Sequence, residues 1–368
     1  MIKYNKNKGY KGVLIMSEPR TYHEQINIDY TLRLREILKS LPPFAKDFFR
    51  AIEPSSSIRT RMNYAYDIRV FFRFLMKNNP IYSSYTIEQF TLHDLDRLSP
   101  VDIEEYVEYL KVYHRDDDEL MTNSEKGLAR KLSALRSFYG YFYKRQAITN
   151  NPMLLVEMPK IHDKAIIRLE ADEVAMLLDY VESFGDKLTG QAKVYYEKTK
   201  NRDIAILTLL LGTGIRVSEC VGLNLNDVDF KNNGIKVTRK GGNEMVVYFG
   251  EEVEHALLNY INGDRKGISP LPGHENALFL STQRRRMGVQ AVENMVKKYA
   301  RQVTPNKKIT PHKLRSTYGT SLYKETGDIY LVADVLGHKD VNTTKKHYAA
   351  IDENRRRQAA SAVKLREP

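Results

Sequence analysis

The chain has one cysteine among 368 residues, Cys220. A lone thiol excludes an internal disulfide framework and fits a reducing compartment, so a cytoplasmic location is expected. Cys220 follows Glu219 on an apolar stretch and reads as a buried thiol. No apolar run approaches the roughly 18 residues of a membrane-spanning helix, so no membrane span is expected. Residues 1–15 are basic but lack the apolar centre of a secretory leader, and Met16 opens a more ordinary beginning. Residues 1–16 are expected to form a poorly ordered extension. Internal repeats and long low-complexity tracts are also missing. The charge run Asp116-Asp117-Asp118-Glu119 lacks the spacing, the central glycine and the closing glutamate of a calcium loop, so it reads as a solvated loop.

Hydrophobic residues make up 42% of the chain and charged residues 28%, the balance of a soluble globular protein. The length exceeds what one typical core supports, which favours two domains. A net charge of +12 favours a polyanionic partner.

Residues 22–150 read as almost entirely helical. Ile28, Leu32, Leu34, Ile37 and Leu38 form one apolar face that stops at Pro42-Pro43. A serine of Ser55-Ser56-Ser57 can cap the next helix, in which Tyr64, Phe71, Phe72 and Phe74 alternate with Arg61, Arg69 and Arg73. The aromatics read as core; the arginines suit either solvent or a phosphate backbone. Ser99-Pro100 starts a helix with acidic residues in its first turn. The last helix of this half spans Lys126 to Arg145, and residues 151–165 read as a basic linker. The second half opens with helices from Glu170 to about Leu211. Two β-branched runs, 235–240 and 244–249, flank Gly241-Gly242-Asn243 and indicate a hairpin. Helices follow to the C-terminus.

Chemistry concentrates in this second half. An apolar helix ends in Gly212-Thr213-Gly214 and at once presents Arg216; Glu219, three residues on, either orients that arginine or is a plain surface acid. His312-Lys313-Leu314-Arg315, Leu336-Gly337-His338 and His347-Tyr348 follow. Guanidinium groups bind non-bridging phosphate oxygens through a planar fork, imidazoles move protons near neutral pH, and a phenol can attack phosphorus. The three histidines have no cysteine or carboxylate pattern beside them, so no metal site is expected.

In order and spacing, TGIRVSE, the hairpin lysine of RKGG, HKLRST, LGH and HY resemble the tyrosine recombinase (phage integrase) family. The helical first half resembles its core-binding domain. The resemblance implies a mainly α protein. A core-binding, SAM-like DNA-binding domain would span 17–150, a linker 151–165, and a mostly helical catalytic domain with a small β-hairpin and a C-terminal helix 166–368. It implies that Arg216 and Arg315 clamp the scissile phosphate and that Lys240 protonates the leaving 5′ oxygen. Arg239 is the competing candidate for that proton, but a guanidinium holds it too tightly. His312 would help position the phosphate and accept the tyrosine proton, and His338 would hydrogen-bond the phosphate. Tyr348 would attack, leaving a 3′-phosphotyrosyl link. No cofactor and no metal are implied, because one ester is exchanged for another and clustered cations take the electrostatic role of magnesium.

The two-domain size resembles the Xer branch of the family, and within it the type in which one recombinase acts alone. That implies double-stranded DNA carrying a dif-like site, a homotetramer on two such sites, resolution of chromosome dimers before division, and activation by an FtsK-type DNA translocase. The segment Thr282 to Arg286, followed by residues 289–302, resembles the family segment that enters the DNA groove; taken alone it is a basic surface patch. For the tail around Arg355-Arg356-Arg357 the resemblance implies a helix that docks into a neighbouring protomer; taken alone it is a solvated end. A mobile-element integrase, a type IB topoisomerase and a silent DNA-binding regulator remain alternatives.

Overall fold

A computed structural model describes residues 21–115, 118–162, 166–239, 242–338 and 340–342. The extension 1–16, Lys240, Tyr348 and the basic tail lie outside the described residues. Contacts divide the chain into two units, 1–164 and 165–368.

The first unit contains α1 (Tyr22–Leu38), α2 (Ala45–Ala51), α3 (Ile58–Asn78), α4 (Leu92–Arg97), α5 (Pro100–Lys111), β1 (Val112–His114), β2 (Leu120–Thr122) and α6 (Glu125–Lys144). Local chemistry sets the helix starts. The Ser57 hydroxyl accepts the Thr60 amide at 3.2 Å. Ser99 and Asp102 form a reciprocal capping box with proline in the first turn. The aromatic stripe of α3 is core: Phe71, Phe72, Phe74 and Leu75 are buried. Rings interlock edge to face, Phe48 with Phe138 at 5.2 Å and Phe71 with Tyr106 at 5.1 Å.

Two features depart from the sequence reading. The first half, expected to be almost entirely helical, also contains an antiparallel hairpin, β1 on β2, with Tyr113 opposite Met121. Each strand has three residues and only Tyr113 is buried, so no alternating pattern exists to announce it. Part of the expected linker belongs to this core: Met153 and Val156 are buried in it. Arg136 Nη2 donates to the carbonyls of both, at 3.2 and 2.9 Å.

The sequence also hides an ion cluster. Asp67, buried on α3, accepts from Lys131 at 3.4 Å and from Arg130, both on α6. Burial pushes its carboxyl above the usual range, against the pull of the two cations. Lys131 is itself buried, so deleting the acid strands a cation. Asp67→Ala is expected to destabilise this unit by about 2–4 kcal/mol, measured by urea unfolding. Asp67→Asn, which keeps an acceptor oxygen, should cost less.

The second unit contains α7 (Ala171–Ser183), α8 (Gly190–Glu197), α9 (Lys200–Thr213), α10 (Val217–Gly222), β3 (Val228–Asp229), β4 (Gly234–Thr238), β5 (Glu244–Tyr248), α11 (Glu251–Asn259), α12 (Val289–Val303), α13 (Pro311–Thr326) and α14 (Ile329–Leu336). Helix α9 is the centre, packed by α7, α11 and α13, and Ala205, Ile206, Leu207, Leu209 and Leu210 are fully enclosed. The expected hairpin is β4 on β5, with Ile235 opposite Val247 and Val237 opposite Met245. A short third strand, β3, joins its other edge. No described helix is long and apolar enough to cross a membrane.

Candidate active site

The apolar run of α9 ends at Gly214, whose φ of +62° is the left-handed conformation that favours glycine. A Cβ there would overlap the Tyr318 ring. The chain turns through buried Ile215, and Arg216 caps α10. Glu219 grips Arg216 twice: its carboxylate accepts the Arg216 backbone N–H and Nη1, each at 2.8 Å. The Glu219 side chain is 3% exposed against 35% for Arg216, so Glu219 orients the arginine and is no surface acid. Glu219→Gln keeps one acceptor oxygen and loses the charge. It should cost about 1–3 kcal/mol in stability.

Helix α13 begins with Pro311 in its first turn. His312 follows on the exposed side, and Arg315, three residues later, is 5% exposed. Arg315 Nη1 donates to the Gly214 carbonyl at 2.6 Å, and Nη2 donates to the Leu336 carbonyl. Arg216 Nη2 donates to the next carbonyl, that of Gly337, at 3.3 Å. Two arginines far apart in sequence thus meet on consecutive residues, whose Cα atoms are about 3.8 Å apart.

The meeting point is the C-terminus of α14. Carbonyls at a helix end are unsatisfied within the helix and carry partial negative charge, which draws cations. Gly337 ends the helix at φ +62°, its N–H donates to Asp334 O at 2.8 Å, and the His338 N–H donates to Ala333 O at 2.9 Å. That closure places half-buried His338 directly beyond the turn. Arg239, just past β4, reaches the same helix end: Nη2 donates to Val335 O at 2.7 Å. Burial lowers its pKa, Glu219 pulls against that, and the nearby Arg216 adds to it.

Of the six expected site residues, Arg216, Arg315 and His338 gather at this turn. His312 stands on the first turn of the helix that carries Arg315. Lys240 and Tyr348 lie outside the described residues. Burial pushes the Cys220 thiol up, the opposite of what a reactive cysteine needs. Tyr323 is buried and Tyr318 packs against the same cluster, as packing residues do. The basic segment before α12 divides. Arg284 and Arg285 are exposed, whereas Arg286 is tied to the carbonyls of Val221 and Leu223 at 3.0 and 2.6 Å. Arg286 is therefore a structural brace. The contact of Arg239 with α14 was not visible in the sequence; the glycine of Leu336-Gly337-His338 is its one trace.

A helical unit that gathers two arginines and a histidine at one helix end brings together guanidinium forks of the kind that suit a phosphate oxyanion. The family model "Phage integrase family" matches residues 168–355, and "Phage integrase, N-terminal SAM-like domain" matches 45–146. Tyrosine recombinase XerC of Caldanaerobacter subterraneus subsp. tengcongensis is 31% identical over 340 residues, covering 90% of this chain and 89% of that protein. Tyrosine recombinase XerS of Streptococcus thermophilus is 31% identical over 338 residues, covering 85% and 93%. Among solved structures, XerH bound to a palindromic difH substrate in a post-cleavage complex superposes with TM-score 0.59. It shares 18% identity and covers 79% of this chain and 75% of its own, a likeness of fold. The chain belongs to the phage integrase family. It is a tyrosine recombinase, an enzyme of site-specific DNA recombination.

Proposed function

We propose that this recombinase cuts and rejoins double-stranded DNA at a dif-like site, through Tyr348, and thereby resolves chromosome dimers before cell division. The observation that carries the reading is the convergence of Arg216 and Arg315 on the Leu336–Gly337 turn. In the proposed reaction both guanidiniums bind the non-bridging oxygens of the scissile phosphate. They offset the charge that grows there in the transition state. Because Glu219 and the turn carbonyls hold the forks beforehand, little reorganisation accompanies binding.

Tyr348 then attacks phosphorus. Its phenol, with an ordinary pKa near 10, is mostly protonated at neutral pH, so His312 takes the proton. His338 donates a hydrogen bond to the same phosphate. Lys240 gives a proton to the departing 5′ oxygen, leaving a 5′ hydroxyl and a 3′-phosphotyrosyl bond. The ester energy is conserved in that bond, so the 5′ hydroxyl of a partner strand rejoins without ATP. A homotetramer on two DNA sites would exchange strands in pairs, in the cytoplasm, with an FtsK-type translocase as activator. The similarity to XerC and XerS along most of their length supports this Xer reading over a mobile-element role.

The test is to incubate the protein with fragmented host DNA and sequence the covalently captured ends. One chromosomal locus with inverted half-sites is the expected result. Ends at the borders of a mobile element would transfer the protein to the integrase role. Capture without sequence preference would indicate topoisomerase-like relaxation.

A further inference from the structure

Arg239 is fixed at both ends. Its backbone N–H donates to Asn243 O at 2.7 Å and its carbonyl accepts from Gly242 N at 3.0 Å, closing the base of the β4–β5 turn. Its side chain leaves the sheet for α14, where Nη2 donates to Val335 O at 2.7 Å and Nη1 points toward Asp334 O at 3.5 Å. The guanidinium lies where a Cβ on Gly337 would stand, so a side chain at 337 would displace this arginine from its contact. The same helix end holds Arg315 through Leu336 and Arg216 through Gly337. One turn therefore carries three arginines, the third immediately preceding Lys240 in the chain.

We infer that Arg239 is a positioning residue: it ties the backbone next to Lys240 to the turn that holds the two phosphate-clamping arginines. The inference rests on the reading of Lys240 as proton donor to the leaving 5′ oxygen. A lysine has a long flexible stem, and its usefulness as an acid depends on where that stem is rooted. Arg239 is one peptide bond from Lys240, and its side chain is anchored on the helix end that also holds Arg216 and Arg315. Gly337 suits the same contact, because its positive φ favours glycine and a Cβ there would push the guanidinium away.

The test is single-turnover cleavage of a nicked suicide substrate made in two forms, one ordinary and one with sulfur replacing the leaving 5′ oxygen. A thiol has a pKa of about 8.5, so the sulfur leaves as thiolate without a donated proton. Arg239→Ala should slow the oxygen substrate on the order of 100-fold, the scale of a lost general acid. It should recover most of that loss on the sulfur substrate, as Lys240→Ala does, with unchanged affinity for the DNA site. Arg239→Gln, which keeps an N–H donor for the Val335 carbonyl, should lose less on the oxygen substrate and guards against a folding defect peculiar to Arg239→Ala. If Lys240→Ala recovers with sulfur while Arg239→Ala does not, Arg239 does not act through the lysine and the inference fails alone. If Lys240→Ala does not recover either, the assignment of Lys240 as acid fails and takes the inference with it. Wild-type rates for Arg239→Ala on the oxygen substrate would also overturn it.

Discussion

Tyr348→Phe is expected to bind its DNA site with undiminished affinity and to form no covalent adduct on a nicked suicide substrate. The substitution removes one oxygen, the atom that would carry the phosphate, and keeps the aromatic ring. Loss of a nucleophile is felt on the order of 10⁴-fold or more, which is complete at the sensitivity of gel detection. Binding should survive because Lys and Arg contacts to the phosphate backbone supply most of the affinity for DNA. The measurement is denaturing electrophoresis of labelled DNA after incubation, beside a mobility shift on the same preparation. An adduct that persists in Tyr348→Phe would reassign the nucleophile to another of the 24 tyrosines. A lost mobility shift would place Tyr348 in binding, not chemistry.

How far the sequence reached depended on the length of the signal. Helices with several turns of periodic apolar residues, such as α3 and α6, stand out because burial along one face fixes both pattern and structure. The β4–β5 hairpin is legible because its glycine-rich turn separates two β-branched runs. The β1–β2 hairpin is not, since three-residue strands with exposed Val112 and Leu120 carry no alternation. Arg216, Arg315 and His338 were legible as a group by their order in the chain, yet nothing in the sequence shows that their common anchor is a helix C-terminus. Charged residues that serve the fold were the least legible. Arg286 and Arg130 look like surface or phosphate-facing cations, and only their carbonyl and carboxylate partners, distant in sequence, show them to be braces. A side chain's charge is local information; its partner is tertiary information.

Arg315 is a structural tie and, in the proposed reaction, a clamp on the phosphate, so its variants should separate the two roles. Its guanidinium joins the Gly214 and Leu336 carbonyls, tying the end of α9 to the end of α14 from α13. Arg315→Ala leaves both carbonyls without that donor in a buried setting. It should destabilise the second unit by about 2–4 kcal/mol, as a lowered urea midpoint. Arg315→Lys keeps the charge and most of the stem, so stability should fall less. A point-charge ammonium cannot hold carbonyls on two sides and present a planar fork to phosphate at once. Cleavage by Arg315→Lys should therefore fall about 100- to 1,000-fold, the range seen when one donor to a developing oxyanion is removed. Stability measured by urea unfolding and adduct formation measured in one turnover then give two independent readings. A lysine variant that regains stability but not cleavage assigns the fork to the phosphate. One that regains both would reduce Arg315 to a structural tie and leave Arg216 as the principal cation at the phosphorus.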